Sequence, residues 1–330
     1  MQLVDSFGRI HDYVRISLID KCNLNCIYCN PVNSNKHFYR KTELLSEGEI
    51  IRFCKILVKN LEVKKIRFTG GEPLLRKDFI PILKNITELK REHNLTIGIT
   101  TNGTELYYNL EALKANGIDY LNVSLDTLHE QKFIAITGKN CYHQVLSAIR
   151  LAEKIHFAKV KVNAVIIKNL NDNELTDFVE YFKYSDIELR FIEFMPFGNN
   201  EWEKNGFVSA DEMKEIIQTK FQLIEANDEN KTAENYLVSG YSLKIGFISS
   251  ISNHFCSSCN RLRITATGKI KLCLFSSEET SLKEYLANPY VTDEFIANFI
   301  SNALSKKIEK HPEVEDLIQL HHNNMLSIGG

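Results

Sequence analysis

The chain has no run of roughly 18 apolar residues, the length that spans a bilayer. Its opening residues, Met1 to Arg9, lack the basic and apolar segments of a secretory leader. These absences predict a cytoplasmic chain with no membrane partner. Proline is scarce, at 6 of 330 residues, and glycine numbers only 15, so long disordered tracts are excluded. An excess of one charge is missing too. The 40 Lys and Arg nearly balance the 42 Asp and Glu, and a net charge of −2 argues against a general nucleic-acid or membrane-surface binder. What remains is ordinary for a globular enzyme: 44% hydrophobic and 25% charged residues, in a chain long enough for a large core.

Cysteine usage carries the first chemical signal. Eight cysteines in 330 residues do not make a disulfide scaffold, and six of them fall into two triplets. Cys22, Cys26 and Cys29 are spaced C-x3-C-x2-C, and Cys256, Cys259 and Cys273 are spaced C-x2-C-x13-C. Cys54 and Cys141 stand alone and read as buried packing residues. Thiolates suit iron–sulfur clusters, zinc and copper(I). A structural zinc site closes with four ligands, and the first triplet has no near fourth. Three ligands on a four-iron cube leave one iron open, so this triplet reads as a catalytic centre. At the second triplet zinc stays open, because His254 or the His321-His322 pair offers a fourth donor. Beside it, Arg261 and Arg263 share one face of a strand and read as an anion clamp, although on their own two such arginines would be solvated surface residues.

Strand and helix patterns alternate through the first two-thirds of the chain. Strands are expected at Tyr13–Leu18, Lys64–Phe68, Leu95–Thr100, Asp119–Leu125, Lys159–Ile167 and Ile187–Phe194, each followed by helical periodicity. Six such units predict a partial (β/α)6 TIM-like barrel over residues 1–220. After a capping-box helix at Ser209 the pattern changes, and residues 221–330 read as a C-terminal extension that binds the second metal centre and substrate. Within it, residues 225–240 read as a polar loop, Thr267-Gly268 as a hairpin turn, and the segment after Ile308 as a polar tail.

Together these residues resemble the radical S-adenosylmethionine (SAM) superfamily. Within it they resemble the GTP 3′,8-cyclases of molybdenum cofactor biosynthesis. The resemblance is carried by Cys22-x3-Cys26-x-Tyr28-Cys29, Phe68-Thr69-Gly70-Gly71-Glu72-Pro73, His254-Phe255-Cys256-x2-Cys259-Asn260-Arg261-Leu262-Arg263, Cys273 and the terminal Gly329-Gly330. It implies two [4Fe–4S] clusters, one on each triplet. It implies SAM on the first cluster, with Tyr28, Gly71, Ser124 and Met195 as contacts. GTP would be the substrate, held by Arg15, Lys65, Arg67, Thr100, Lys161, Arg261, Leu262 and Arg263. A 5′-deoxyadenosyl radical would abstract the C3′ hydrogen of GTP, and the product would pass to a cyclic pyranopterin monophosphate synthase. A reductant such as flavodoxin or ferredoxin is implied, and a homodimer is compatible. The Gly-Gly end is expected to insert toward the site. Two departures from the family pattern, Lys21 before the first cysteine and Asn30-Pro31 after the third, touch no ligand. Other readings are a peptide-modifying radical SAM enzyme, which would carry more cysteines late in the chain, and a zinc-binding regulatory protein.

Overall fold

Period-two alternation sets the inner and outer faces of the first strand, β1 (Tyr13–Ser17). Val14 and Ile16 are fully buried on the outer side, while Arg15 faces an internal cavity. The computed structural model describes residues 1–29, 38–197, 200, 202, 206–226, 232–319 and 325–329. Five further strands repeat the pattern: β2 (Lys65–Thr69), β3 (Thr96–Thr101), β4 (Tyr120–Ser124), β5 (Lys159–Ile166) and β6 (Glu188–Glu193). The helices between them are α1 (Glu47–Lys59), α2 (Phe79–His93), α3 (Leu106–Ala115), α4 (Glu130–Thr137), α5 (Tyr142–Lys154) and α6 (Leu175–Phe182), and α7 (Ala210–Gln218) follows β6.

Local chemistry fixes the helix ends. At α1, the Ser46 hydroxyl accepts from the Glu49 amide and the Glu49 carboxylate accepts from the Ser46 amide. Such a cap contributes about 1 kcal/mol. The helices bury their apolar faces on the outer side of the sheet. There Phe68 of β2 meets Phe79 of α2 edge-on at 5.3 Å, and both are fully buried. Truncating such a ring costs roughly 3–5 kcal/mol.

The later elements are β7 (Leu223–Glu225), β8 (Glu234–Val238), β9 (Lys244–Ile248), β10 (Arg261–Ile264), β11 (Lys269–Lys271), β12 (Thr280–Ser281), α8 (Lys283–Ala287), α9 (Asp293–Leu304), α10 (Val314–Gln319) and α11 (Met325–Ile328). All twelve strands form one sheet, in the order β12-β11-β10-β1-β2-β3-β4-β5-β6-β9-β8-β7. The partial (β/α)6 barrel is present and does not close, since β7 and β12 are its two edges. The C-terminal region extends it on both sides. β10 pairs parallel with β1 and β9 parallel with β6, and antiparallel strands lie beyond each.

Two expectations change. The stretch read as a polar loop contains β8, which pairs with β9 and sets Tyr236 edge-on to Phe247 at 5.7 Å. Pairing supplies there what the polar sequence does not. The tail after Ile308 contains α10 and α11, because Leu317 and Ile328 bury with Phe197 and Phe275 in a small second core. The predicted hairpin forms, with the Gly268 amide donating to the Thr265 carbonyl at 2.9 Å between β10 and β11. Among the described residues no helix is long and apolar enough to cross a membrane.

Candidate functional site

The Cys22–Cys29 loop leaves the C-terminal end of β1 and is held from several directions. Its Asn25 and Ile27 amides donate to the carbonyls of Thr137 and Ile136 at the end of α4. Cys22 Sγ lies 3.4 Å from the Leu24 amide and 3.5 Å from Asn102 Nδ2. Behind it, Glu72 is fully buried and accepts from Thr101 Oγ1, the Asn102 amide and the Leu74 amide. Burial pushes this carboxyl up to about 7. Gly71 lies directly against the loop: a Cβ there would fall 2.3 Å from the Lys21 carbonyl oxygen, so only glycine fits. Tyr28 donates through its hydroxyl to Asp126 at 2.7 Å, and Asp126 also accepts from the Val165 amide.

Cys256 and Cys259 flank a tight turn, and Cys273 follows β11. Arg9 Nη1 donates to the Cys256 carbonyl at 2.8 Å, tying the N-terminal turn to this triplet. Burial opposes ionisation of Cys259, but Arg261 and Lys307 outweigh it and hold the thiol below its ordinary value. The first triplet differs: burial raises all three thiols, Cys29 to about 12, so thiolates there need a metal's charge. Among the described residues no three His, Cys, Asp or Glu side chains converge tightly enough to bind a single metal ion. One zinc would require thiolates about 2.3 Å from a common centre.

Both triplets open on one cavity of about 280 Å³. Its other walls come from inward positions of the parallel strands. Strand register sets Arg15 beside Arg67 on one side and Arg263 on the other, with Tyr13 between Lys65 and Arg261 one step below. Burial and mutual repulsion lower Arg67 to about 10, with Tyr13 pulling the other way. Burial likewise lowers Lys65 to about 8. The Arg67 Nε is buried without a hydrogen-bond partner among the described residues, as are Asn122 Oδ1 and Asn163 Oδ1. A desolvated cation cluster of this kind calls for a multivalent anion.

Of the residues singled out from the sequence, the six triplet cysteines, Tyr28, Gly71, Ser124, Met195, Arg15, Arg67, Thr100, Arg261 and Arg263 all line this cavity. Lys65 lies just outside it, its ammonium 4.6 Å from the Tyr120 ring centre and 5.1 Å from that of Tyr13. Lys161 is paired with Glu188 at 2.7 Å, and the fully buried Leu262 side chain faces the core. His254 lines the cavity, whereas His321 and His322 lie outside the described residues, as do Asn30, Pro31 and Gly330. Gly329 reaches the cavity region, its carbonyl 3.5 Å from Arg263 Nη1. Sequence reasoning missed Arg190, Asn122, Asn163 and Lys307, all of which line the cavity. Alternation could have found Arg190, which shares the inward phase of β6 with Glu188 and Ile192.

Comparison with known proteins matches residues 16–182 to the radical SAM superfamily. Residues 187–313 match the model described as Molybdenum Cofactor Synthesis C. The solved structure of Streptococcus suis SuiB bound to S-adenosylmethionine superimposes with a TM-score of 0.65 at 15% identity, covering 94% of this chain and 75% of that one. That likeness concerns the fold alone. The chain is thus a radical SAM protein, a class that works with SAM and an iron–sulfur cluster. It is 38% identical to the GTP 3′,8-cyclase of Listeria monocytogenes over the full length of both chains. It is 40% identical to the mitochondrial GTP 3′,8-cyclase of Arabidopsis thaliana, covering 99% of this chain and 83% of that one. It is also 42% identical to molybdenum cofactor biosynthesis protein 1 of Dictyostelium discoideum, of which it spans about half the length. The chain belongs to the GTP 3′,8-cyclase family.

Proposed function

We propose that this chain converts GTP to (8S)-3′,8-cyclo-7,8-dihydroguanosine 5′-triphosphate, the first step of molybdenum cofactor biosynthesis. The observation that carries the reading is the opening of both cysteine triplets and a face of inward arginines on a single cavity. Cys22, Cys26 and Cys29 would hold one [4Fe–4S] cluster, and Cys256, Cys259 and Cys273 a second. SAM would lie against Tyr28, Gly71, Ser124 and Met195. When bound, the first cluster and SAM supply a 5′-deoxyadenosyl radical able to take hydrogen from C3′ of GTP.

The chain's own residues bind and orient. Arg15, Arg67, Arg261 and Arg263 supply guanidinium forks for a triphosphate of about −4 charge. Lys65 and Lys161 lie behind them, Thr100 is a polar wall, and Leu262 offers its main chain, since its side chain is in the core. Cys256 and Cys259 of the second triplet form the turn that leads into Arg261, so the base and the phosphates would be gripped by one β-strand and its leading turn. A one-electron donor such as flavodoxin or ferredoxin would serve the first cluster, and a cyclic pyranopterin monophosphate synthase would take the product. A homodimer is compatible with the fold.

Anaerobic reconstitution should give about eight irons per chain, four for each centre. With GTP, SAM and a reductant the protein should release 5′-deoxyadenosine, and mass spectrometry should find the cyclised nucleotide. A fully loaded protein that leaves GTP intact would refute the assignment, and zinc retained through aerobic purification would favour a non-enzymatic role.

A further inference from the structure

Nine cations share the inward phase of the eight parallel strands, and among the described residues Glu188 is the only carboxylate on that phase. It is 2% exposed. One of its oxygens, Oε1, lies 2.7 Å from Lys161 Nζ and accepts from Arg190 Nε at 2.7 Å. The other, Oε2, accepts no hydrogen bond among the described residues and has Lys159 Nζ at 3.5 Å. Burial alone would raise this carboxyl, but Arg190 and Lys161 outweigh it and hold Glu188 ionised. Arg190 lines the cavity, whereas Lys161, drawn onto the carboxylate, does not.

The geometry points to Glu188 as a resident counter-anion. In the free protein it holds the Lys161 and Arg190 cations that a ligand's phosphates take over, and so it sets how much negative charge a ligand must carry to bind. The reasoning is electrostatic. Buried cations left unpaired are destabilising, so the empty barrel requires an internal anion. One carboxylate offsets only part of the charge. Arg15 and Arg67 have no carboxylate partner among the described residues, and they await a ligand. A triphosphate brings enough charge to compete with Glu188 for its two partners. A monophosphate does not. Glu188 thereby filters ligands by charge number.

The proposal rests on the reading of the cavity as a nucleoside triphosphate site, and the test separates the two. Binding of GTP, inorganic triphosphate and inorganic phosphate to the reconstituted protein is measured by calorimetry for wild type, Glu188→Gln and Glu188→Asp. Wild-type protein that does not bind GTP overturns the nucleotide reading itself. Given GTP binding, Glu188→Gln should tighten both inorganic anions and phosphate the more, shrinking the triphosphate-to-phosphate affinity ratio about tenfold. Its melting temperature without ligand should fall, and inorganic triphosphate should restore it. Glu188→Asp keeps the charge but retracts it, and should lie between. An unchanged ratio in Glu188→Gln overturns the proposal. So does a wild-type ratio in Glu188→Asp when Glu188→Gln does not fold.

Discussion

Tyr13 is the residue at which the cavity's electrostatics can be read most directly. Its hydroxyl accepts from Arg15 Nε at 3.1 Å, and the Lys65 ammonium lies 5.1 Å and the Arg67 guanidinium 5.5 Å from its ring centre. Burial by itself would raise the phenol, but Arg15, Arg67 and Lys65 outweigh it and bring it down to about 7 from 10.0. Between those values the folded state binds fewer protons than the unfolded one, so stability rises with pH across that window. The contribution is fully present above the unfolded value and is lost as pH falls through 7. One phenolate should therefore appear near neutral pH in the near-ultraviolet absorbance of the ligand-free protein. Tyr13→Phe should lack it, and inorganic triphosphate should move the transition upward by neutralising the surrounding cations. Absorbance that stays flat up to the ordinary tyrosine range would show that the cations do not act on this phenol.

Among the elements, those with a long period were legible in the sequence, and those built by docking were not. The capping box at Ser46 and the alternation in Tyr13–Ser17 declare α1 and β1 without help from the rest of the chain. The four residues of α11 declare nothing, since a single turn is unstable alone. They form because Leu326 buries against the cavity and Ile328 in the second core. The cysteines and arginines could be picked out by motif, but the pairing of Lys161 with Glu188 required the β5–β6 register. What α11 delivers is Gly329, in the left-handed region at φ +71°. A Cβ there would meet Ser17 Cβ at 2.8 Å and Thr69 Cγ2 at 2.9 Å. Gly329→Ala should therefore lift the tail from β1 and β2 and release Arg263 from its carbonyl. GTP affinity should drop roughly tenfold, about 1.4 kcal/mol, while iron content and melting temperature stay near wild type. Equal GTP affinity in the variant would mean that the tail does not order the arginine.

For the whole molecule, the pattern change near residue 220 does not coincide with a break in the sheet. β10 covers one side of β1 through Tyr13–Ile16, and β9 covers one side of β6 through Glu188–Ile192. Both covering strands come from residues beyond 220. A chain ending there keeps β1–β6 and the first triplet but exposes two long parallel edges, the template on which strands of other chains add. It also loses Arg261 and Arg263, and with them one wall of the cavity. The fragment 1–220 should therefore elute as aggregate in size-exclusion chromatography, melt without a cooperative transition and load well under four irons under conditions that fill the complete chain. Co-expression with 221–330 should restore monodispersity, because the second segment brings the strands that cap both edges. A monodisperse 1–220 fragment with a cooperative melt and about four irons would make the first segment a self-sufficient domain, with the C-terminal strands an addition to its edges rather than a condition of its folding.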